Sequence, residues 1–290
     1  MSMWQVAKSS TAGSTLSNQP STPNTFPLCS AFLKNYDRCM SKDKKYQSNS
    51  LLRGLKILEA FGAGRTEMTL SQIADEIAVT SSAAFRFVHT LEQEGYLIKD
   101  EKSRSFRLAP RVMELGYSYI KSLDLGDVAA VHARNLRDTS GFSVHVSVLE
   151  NTEAVYIYRA MSPSPMVSNI PVGSRLPAFA TSMGRIMLAD LTETELERRF
   201  HSYNFEKFTD GTIANLTELK AALAQDRKKG YVAQASQLAE GTVAIAAPIT
   251  DRSKQVIGAI NISGHRNQLV TTEDLIKQVC DCALQISEMQ

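Results

Sequence analysis

The segment between residues 50 and 108 constrains the fold most, because it combines three short helical patterns with one hairpin pattern. An apolar stripe with helical spacing covers residues 51–61. Thr69 and Gln72 then match a capping box, in which a hydroxyl and an amide each satisfy a free backbone N–H group at a helix start. Thr80 or Ser81 is suited to cap a third helix.

A hairpin pattern follows the third helix. Residues 96–99 and 105–108 have the composition of two strands, with a polar, charged tip between them. Two short helices joined by a tight turn at Ala78 and Val79 and followed by a hairpin are typical of a winged helix-turn-helix. In such a unit one helix lies in the DNA major groove. The sequence therefore predicts a DNA-binding domain over residues 49–109.

The candidate DNA contacts are outward positions of the third helix and the charged tip of the hairpin. Arg86 is suited to guanine or phosphate, and Phe85 to a thymine methyl group. The predicted set is Ser81, Ser82, Phe85, Arg86, His89, Lys102 and Arg104. The net charge of +2 is only weakly basic, and the helix has few Lys or Arg residues. A second interpretation therefore stays open, namely a small-molecule-sensing protein-interaction module whose helix-turn-helix does not read DNA.

The rest of the chain mixes strand and helix patterns, and Thr192 and Glu195 match a second capping box at a helix start. Pro110 is suited to the first turn of a linker helix over residues 110–124. Val144, Val146 and Val148 alternate strictly, which indicates a strand with one buried face. Strands and helices follow without regular alternation, which favours an α+β domain around an antiparallel sheet over residues 125–290.

The chain before the first helix differs in composition. Ser, Thr, Asn, Pro and Gly dominate much of residues 1–48, so this segment buries too little apolar surface to offset the entropy of ordering. We expect a flexible tail there. No secretory signal is visible and no apolar stretch is long enough to cross a bilayer, so a cytoplasmic protein without a membrane partner is expected.

Patterns for catalysis or metal binding are not found in the sequence. Nucleophile elbows, phosphate loops, zinc motifs and dinucleotide-binding glycines are missing, so we predict no enzyme activity and no cofactor. His145 lies in the alternating strand, and we interpret it as a core or surface histidine rather than a general base. The four cysteines lack further ligands at metal-binding spacing and are expected to be reduced thiols.

Several separate segments resemble the IclR family of bacterial regulators. The matching segments are SLLRGLKILE at residues 50–59, LSQIA at 70–74, GYL at 95–97, RLAPRVMELG at 107–116, GSRLPAFATSMGR at 173–185, GY at 230–231 and AINISG at 259–264. The resemblance covers about residues 50–288 and is greatest to the subgroup that controls aromatic-acid catabolism, the PcaR/PobR type. It implies a GAF-like effector domain, homodimers or tetramers, and double-stranded DNA operators read by paired winged helices.

The resemblance also implies an effector pocket where the sheet meets the signature loop. The matching positions are Ser182, Met183, Gln234, Ala244, Asn261 and Ser263. Hydroxyls and amides in an otherwise apolar cleft suit a small carboxylate, and an aromatic acid is the expected effector. Two segments depart from the family: Ser81-Ser82-Ala83 replaces a frequent Lys-Ser-Thr, and an expected arginine is missing near residues 234–243. Ala244 also replaces a frequent Cys or Ser, so we expect a pocket that is less polar than usual or that takes a different effector.

Overall fold

A computed structural model describes residues 46–62, 65–123, 125–163 and 170–290. The predicted flexible tail lies outside the described residues except for its last three positions. Among the described residues, every helix is too short or too polar to span a bilayer.

The first part of the chain is a three-helix unit with a small sheet. Its elements are α1 (Asn49–Ala60), β1 (Met68–Thr69), α2 (Leu70–Glu76), α3 (Ser81–Gln93), β2 (Leu97–Lys99) and β3 (Ser105–Leu108). The strands pair antiparallel in the order β1-β3-β2. Buried Ile57, Ile73, Val88, Leu97 and Phe106 form its core, one from each of the main elements. The predicted helix-turn-helix and hairpin are confirmed.

Local chemistry sets the ends of these helices. Both halves of the predicted capping box form at the start of α2: the hydroxyl of Thr69 accepts from the Gln72 N–H group, and the Gln72 amide oxygen accepts from the Thr69 N–H group. Thr80, and not Ser81, caps α3. Between the two helices Ala78 has a left-handed backbone with φ of 53°.

Helix α4 (Arg111–Ser122) follows the hairpin, with Pro110 as its first flanking residue. Proline suits this position because its φ is already helical and the missing N–H group has no partner to lose. None of the residues of α4 is buried. Arg111 ties the helix to the preceding unit: its guanidinium donates to the Glu94 carbonyl at 2.5 Å and lies 5.1 Å from the centre of the Tyr96 ring.

The second part of the chain is a six-stranded sheet with helices on both faces. Its elements are α5 (Leu125–Ser140), β4 (Ser143–Glu150), β5 (Glu153–Ala160), β6 (Arg175–Pro177), a 3-10 turn (Ala178–Ala180), α6 (Ser182–Leu188), α7 (Glu193–Arg199), α8 (Leu216–Lys229), β7 (Val232–Ala235), β8 (Thr242–Thr250), β9 (Val256–His265) and α9 (Glu273–Ser287). The strand order is β6-β5-β4-β9-β8-β7, antiparallel throughout. The predicted α+β class with an antiparallel sheet is confirmed.

Strand alternation separates two apolar layers. Val146, Ile245 and Ile260 face one side and pack with residues of α5 and α9. Buried residues of the 3-10 turn, α7 and α8, including Phe179 and Leu219, form a second cluster. The intermediate positions of β4, β8 and β9 therefore face away from α5 and α9, and many of them are polar or small.

Sequence patterns did not predict three short strands, and one predicted capping box forms only one of its two hydrogen bonds. Strands β1, β6 and β7 have two to four residues, which is too short for alternation to show. Thr192 caps α7 by accepting from the Glu195 N–H group, as expected. The Glu195 carboxylate, however, bonds to Arg198 and Arg199 instead of closing the predicted second capping box, because two guanidinium groups attract it more strongly than one amide.

Candidate DNA interface and ligand site

The outward face of α3 carries the predicted DNA contacts. Ala84 and Val88 are buried against the rest of the unit, whereas Phe85 and Arg86 between them are exposed. All seven predicted contacts are exposed: Ser81, Ser82, Phe85, Arg86, His89, Lys102 and Arg104. The Thr80 hydroxyl lies 3.4 Å from the Ala83 N–H group that it accepts and 3.1 Å from the Ser82 hydroxyl. The start of the helix is therefore ordered by its own side chains.

Two rings stack on this exposed face. The centres of Phe85 and His89 lie 5.7 Å apart with only 7° between their planes. Phe85 is 53% exposed. One helical turn separates the two residues, so the stacked pair forms a flat surface suited to a base edge or a methyl group.

The tip of the hairpin is ordered by one carboxylate. Asp100 accepts from the Lys102 N–H group at 2.8 Å and the Ser103 N–H group at 2.9 Å. These backbone hydrogen bonds lower the pKa of Asp100. Arg104 closes the tip with a left-handed backbone, φ 54°. The loop thus presents Lys102 and Arg104 from a defined backbone.

The predicted effector residues meet on the sheet face that points away from α5 and α9. Gln234, Ala244 and Ser263 lie in one row across β7, β8 and β9. Asn261 lies in the next row, beside Ala246 and opposite His145 of β4. Ser182 and Met183 at the start of α6 complete the set through contacts with this face. The six predicted positions therefore share one region of the molecule.

A polar chain runs through the buried part of this region. His145 is fully buried, and its Nδ1 lies 3.2 Å from Oδ1 of Asn261. The Asn261 amide donates in turn to the Ser182 hydroxyl at 3.4 Å. Burial lowers the pKa of His145 to about 4, against the smaller raising effect of the Asn261 hydrogen bond. The imidazole is therefore neutral at physiological pH.

Two buried polar atoms of this region have no hydrogen-bond partner within the described part of the chain. They are Nε2 of His145 and the hydroxyl oxygen of Ser263. Because His145 pairs with Asn261 and Ser143 pairs with Ser263 across β4 and β9, the two are diagonal neighbours on the same face. Leaving a buried polar atom without a partner costs about 1–3 kcal/mol, which favours a hydrogen-bond partner from outside the chain for both atoms.

The remaining lining combines apolar and weakly polar groups. Met183 is buried and accepts the Ser147 hydroxyl at its sulfur, at 3.4 Å. The Tyr156 ring meets the His145 ring edge to face, with centres 5.5 Å apart. Burial raises the pKa of Tyr156, so its phenol is neutral. Ala244 lies on the same face and adds apolar surface, and such surroundings suit a ring or a short aliphatic body.

A buried ion pair holds α6 beside β7 and α8. The Arg185 guanidinium contacts the Asp226 carboxylate at 2.6 and 2.9 Å and donates to the Gln234 amide oxygen at 3.2 Å. The Gln234 amide N–H group donates to the Ala180 carbonyl at 3.1 Å. Burial raises the pKa of Asp226, and the charge of Arg185 offsets part of that rise. Both ends of the Gln234 amide therefore have protein partners.

Sequence reasoning did not single out several residues of this region. His145 was interpreted as a core or surface residue, and Ser147, Arg185 and Asp226 were not proposed for any role. Alternation of Val144, Val146 and Val148 was a usable signal, because it places His145 and Ser147 together on the opposite face. The Arg185–Asp226 pair had no such signal, since these residues are far apart in sequence and meet only through the packing of α6 and α8.

Comparisons with known families match both parts of the chain. The profile of the IclR helix-turn-helix domain matches residues 50–101. The profile of the bacterial transcriptional regulator IclR C-terminal domain matches residues 117–288.

Individual relatives are similar to this chain over most of their length. The Pca regulon regulatory protein of Pseudomonas putida is 32% identical over 77% of each chain. The transcriptional repressor IclR of Escherichia coli is 30% identical over 80% of this chain and 85% of its own. The crystal structure of an IclR homolog from Microbacterium hydrocarbonoxydans complexed with 4-hydroxybenzoate has a TM-score of 0.74 and 27% identity, over 82% of this chain and 98% of that chain.

Proposed function

Because the chain belongs to the IclR family of bacterial transcriptional regulators, we propose that it binds a specific DNA operator and changes transcription when a small carboxylic acid binds its C-terminal domain. The family comprises DNA-binding regulators and is not a family of enzymes. The observation that carries the proposal is the outward face of α3, where Phe85, Arg86 and His89 are exposed beside buried Ala84 and Val88. A cytoplasmic location is part of this proposal.

The DNA part is tested by fluorescence anisotropy on duplexes from upstream of the gene for this chain, at several salt concentrations. Arg86→Ala is expected to weaken binding by roughly 1–3 kcal/mol if Arg86 contacts a base, with relaxed preference over random duplex. If it contacts a phosphate, binding weakens for all sequences and the salt slope falls by about one. Arg252→Ala, an exposed arginine in the β8–β9 turn, is the matched control and is expected to bind as the wild type does.

Absence of any duplex binding, with and without candidate acids, would favour the alternative of a protein-interaction module. Equal loss in both arginine variants would mean that the effect is general charge and not a reading helix. Either result removes the DNA-binding proposal for the surface described above.

For the effector, we propose a small aromatic carboxylic acid bound on the sheet face that holds Ser182, Asn261 and Ser263. The unpartnered Ser263 hydroxyl and the apolar lining support this, as does the 4-hydroxybenzoate in the related structure. Met183 and Ala244 would contact the body of the acid. Gln234 is kept as a predicted contact, although both ends of its amide are bonded to the protein.

Isothermal titration with 4-hydroxybenzoate tests the effector site. Ser263→Ala is expected to raise the dissociation constant several-fold, since it removes one hydrogen bond worth about 1 kcal/mol. Ser253→Ala, in the turn at the other end of the same strand pair, should leave it unchanged. Equal affinity in all three proteins would place the acid elsewhere.

We propose a homodimer or tetramer as the DNA-binding form. The support is an exposed apolar surface on α1 and α4, which carries Leu51, Leu55, Met113, Leu115 and Tyr117. Large apolar surfaces of this kind mark association sites, and paired half-sites need two reading helices.

A further inference from the structure

We infer that His145 selects the effector by accepting a hydrogen bond from it, so that the effector is a hydroxylated aromatic acid and not the plain acid. This inference rests on the proposed effector site and names the chemical group that the site recognises. It depends on three features of β4, β9 and α6.

The first feature is the proton on the imidazole. In the structure the Asn261 amide N–H group donates to the Ser182 hydroxyl at 3.4 Å, and the Asn261 amide oxygen lies 3.2 Å from Nδ1 of His145. A carbonyl oxygen only accepts, so Nδ1 must carry the proton. In a neutral ring Nε2 then has a lone pair and no hydrogen.

The second feature is that this lone pair is buried and has no partner. Nε2 of His145 has none within the described part of the chain, and the residue is fully buried. The ring is also held in place, by Asn261 on one side and by the edge of Tyr156 on another. A fixed acceptor in an apolar setting discriminates strongly, because a ligand without a donor leaves it unsatisfied. Burial keeps the imidazole uncharged near neutral pH, so it offers no positive charge to a carboxylate.

The third feature is the neighbouring hydroxyl. The buried Ser263 hydroxyl is also unpartnered and lies diagonally from His145 on the same sheet face. A hydroxyl can donate to a carboxylate or to a ring oxygen. His145 and Ser263 together therefore fit a ligand that donates one hydrogen bond and accepts another. Met183 and Ala244 supply the apolar surface between these polar contacts. A hydroxylated aromatic acid has this set of groups.

The test uses the full chain and three probes: 4-hydroxybenzoate, benzoate and 4-methoxybenzoate. The methoxy compound keeps the ring oxygen but has no hydrogen to donate. In isothermal titration we expect the wild type to bind the hydroxyl compound roughly tenfold more tightly than either analogue. In His145→Asn, which keeps a nitrogen at the Nδ1 position and has no Nε2, the ratio of the affinities for the hydroxyl compound and its analogues is expected to fall to about one. His145→Gln, which places an amide oxygen near the Nε2 position, is expected to restore part of the preference.

Nitrogen-15 NMR of the imidazole gives a readout that does not depend on any ligand. A proton on Nδ1, with the Nε2 resonance moving when 4-hydroxybenzoate is added, is the expected result. A proton on Nε2, equal binding of the hydroxy and methoxy compounds, or an unchanged ratio in His145→Asn would each overturn the inference. If none of the three probes binds, the ligand class named here is wrong. If the protein does not bind DNA but keeps its preference for 4-hydroxybenzoate over the two analogues, only the proposed role as a regulator is contradicted.

Discussion

A single buried imidazole connects stability to pH at the residue scale. Burial lowers the pKa of His145 from 6.5 to about 4. The unfolded chain therefore binds a proton between these two values that the folded chain does not bind, and stability falls as pH falls through this window. Above pH 6.5 both states are neutral at this residue and the effect is absent.

We predict that His145→Asn flattens the pH dependence of stability. A lowering of this size corresponds to roughly 3 kcal/mol between pH 6.5 and pH 4. The free energy of unfolding, measured by urea titration from pH 7 down to pH 4.5, should therefore fall more steeply in the wild type than in the variant. Other groups titrate in both proteins, so the difference between the two curves isolates His145. Parallel curves would contradict the burial of this residue.

The role of this histidine could be predicted only in part. Alternation places it with Ser147 on one face of β4, and resemblance to a family indicates Asn261 and Ser263 on the neighbouring strand. The unpaired Nε2 and the direction of the Asn261 amide depend on register and packing across β4, β9 and α6, which sequence spacing does not determine.

At the scale of the elements, burial determines how much stability is lost when one partner of an ion pair is removed. Arg185 and Asp226 join α6 to α8 with side chains only 11% and 5% exposed. Lys277 and Asp281 on α9 form a pair of the same length, 2.6 Å, with side chains 74% and 52% exposed. Removing one partner of the buried pair leaves an uncompensated charge, whereas the exposed pair is screened by water.

Arg185→Met is accordingly expected to lower the free energy of unfolding by about 3–5 kcal/mol. Lys277→Met, the matched control, should change it by less than about 1 kcal/mol. Adding Asp226→Leu to Arg185→Met should recover part of the loss, because the stranded carboxylate is then gone. Chemical denaturation of all four proteins gives the comparison, and equal effects of the two single variants would show that burial of the pair is unimportant.

In the turn between α2 and α3, the backbone conformation of a single residue affects stability. Ala78 has a left-handed backbone, which costs an L-residue roughly 1–2 kcal/mol. Ala78→Gly relieves this at some cost in the entropy of the unfolded chain. We expect Ala78→Gly to raise the free energy of unfolding, measured by thermal denaturation, by up to about 1 kcal/mol and to leave the DNA affinity unchanged. Ala221→Gly, at an exposed position inside α8, should instead lower the free energy of unfolding by about 1 kcal/mol.

Elements long enough to show their period were predictable, and short ones were not. Strands β4, β8 and β9 and helices α3, α8 and α9 follow visible apolar spacing together with capping residues. Strands β6 and β7 have three and four residues and lie at the edges of the sheet. Their position depends on neighbouring strands that present hydrogen-bonding edges, so local sequence carries little information about them.

At the scale of the whole molecule, α4 exposes several large apolar side chains. Met113, Leu115, Tyr117 and Tyr119 are 45–76% exposed, and the helix has no buried residue. Arg111 at its start contacts the end of α3 through the Glu94 carbonyl. A second copy packed on this helix would cover the apolar side chains and would also hold two reading helices at a set distance, as paired half-sites require. Effector binding that shifted α4 would then change that distance.

We therefore predict that Tyr117→Glu converts the protein to a monomer and weakens its binding to a two-half-site operator by at least tenfold. A buried unpaired carboxylate at the interface is the physical reason. Val270→Glu is the control, because it adds the same charge at a residue that is 68% exposed and lies outside α1 and α4. Sedimentation velocity gives the mass of each protein, and anisotropy gives the operator affinity. A Tyr117→Glu dimer as stable as the wild type would place the interface elsewhere. A monomer with full affinity would mean that one winged helix suffices, and the spacing of two reading helices could then carry no signal from the effector.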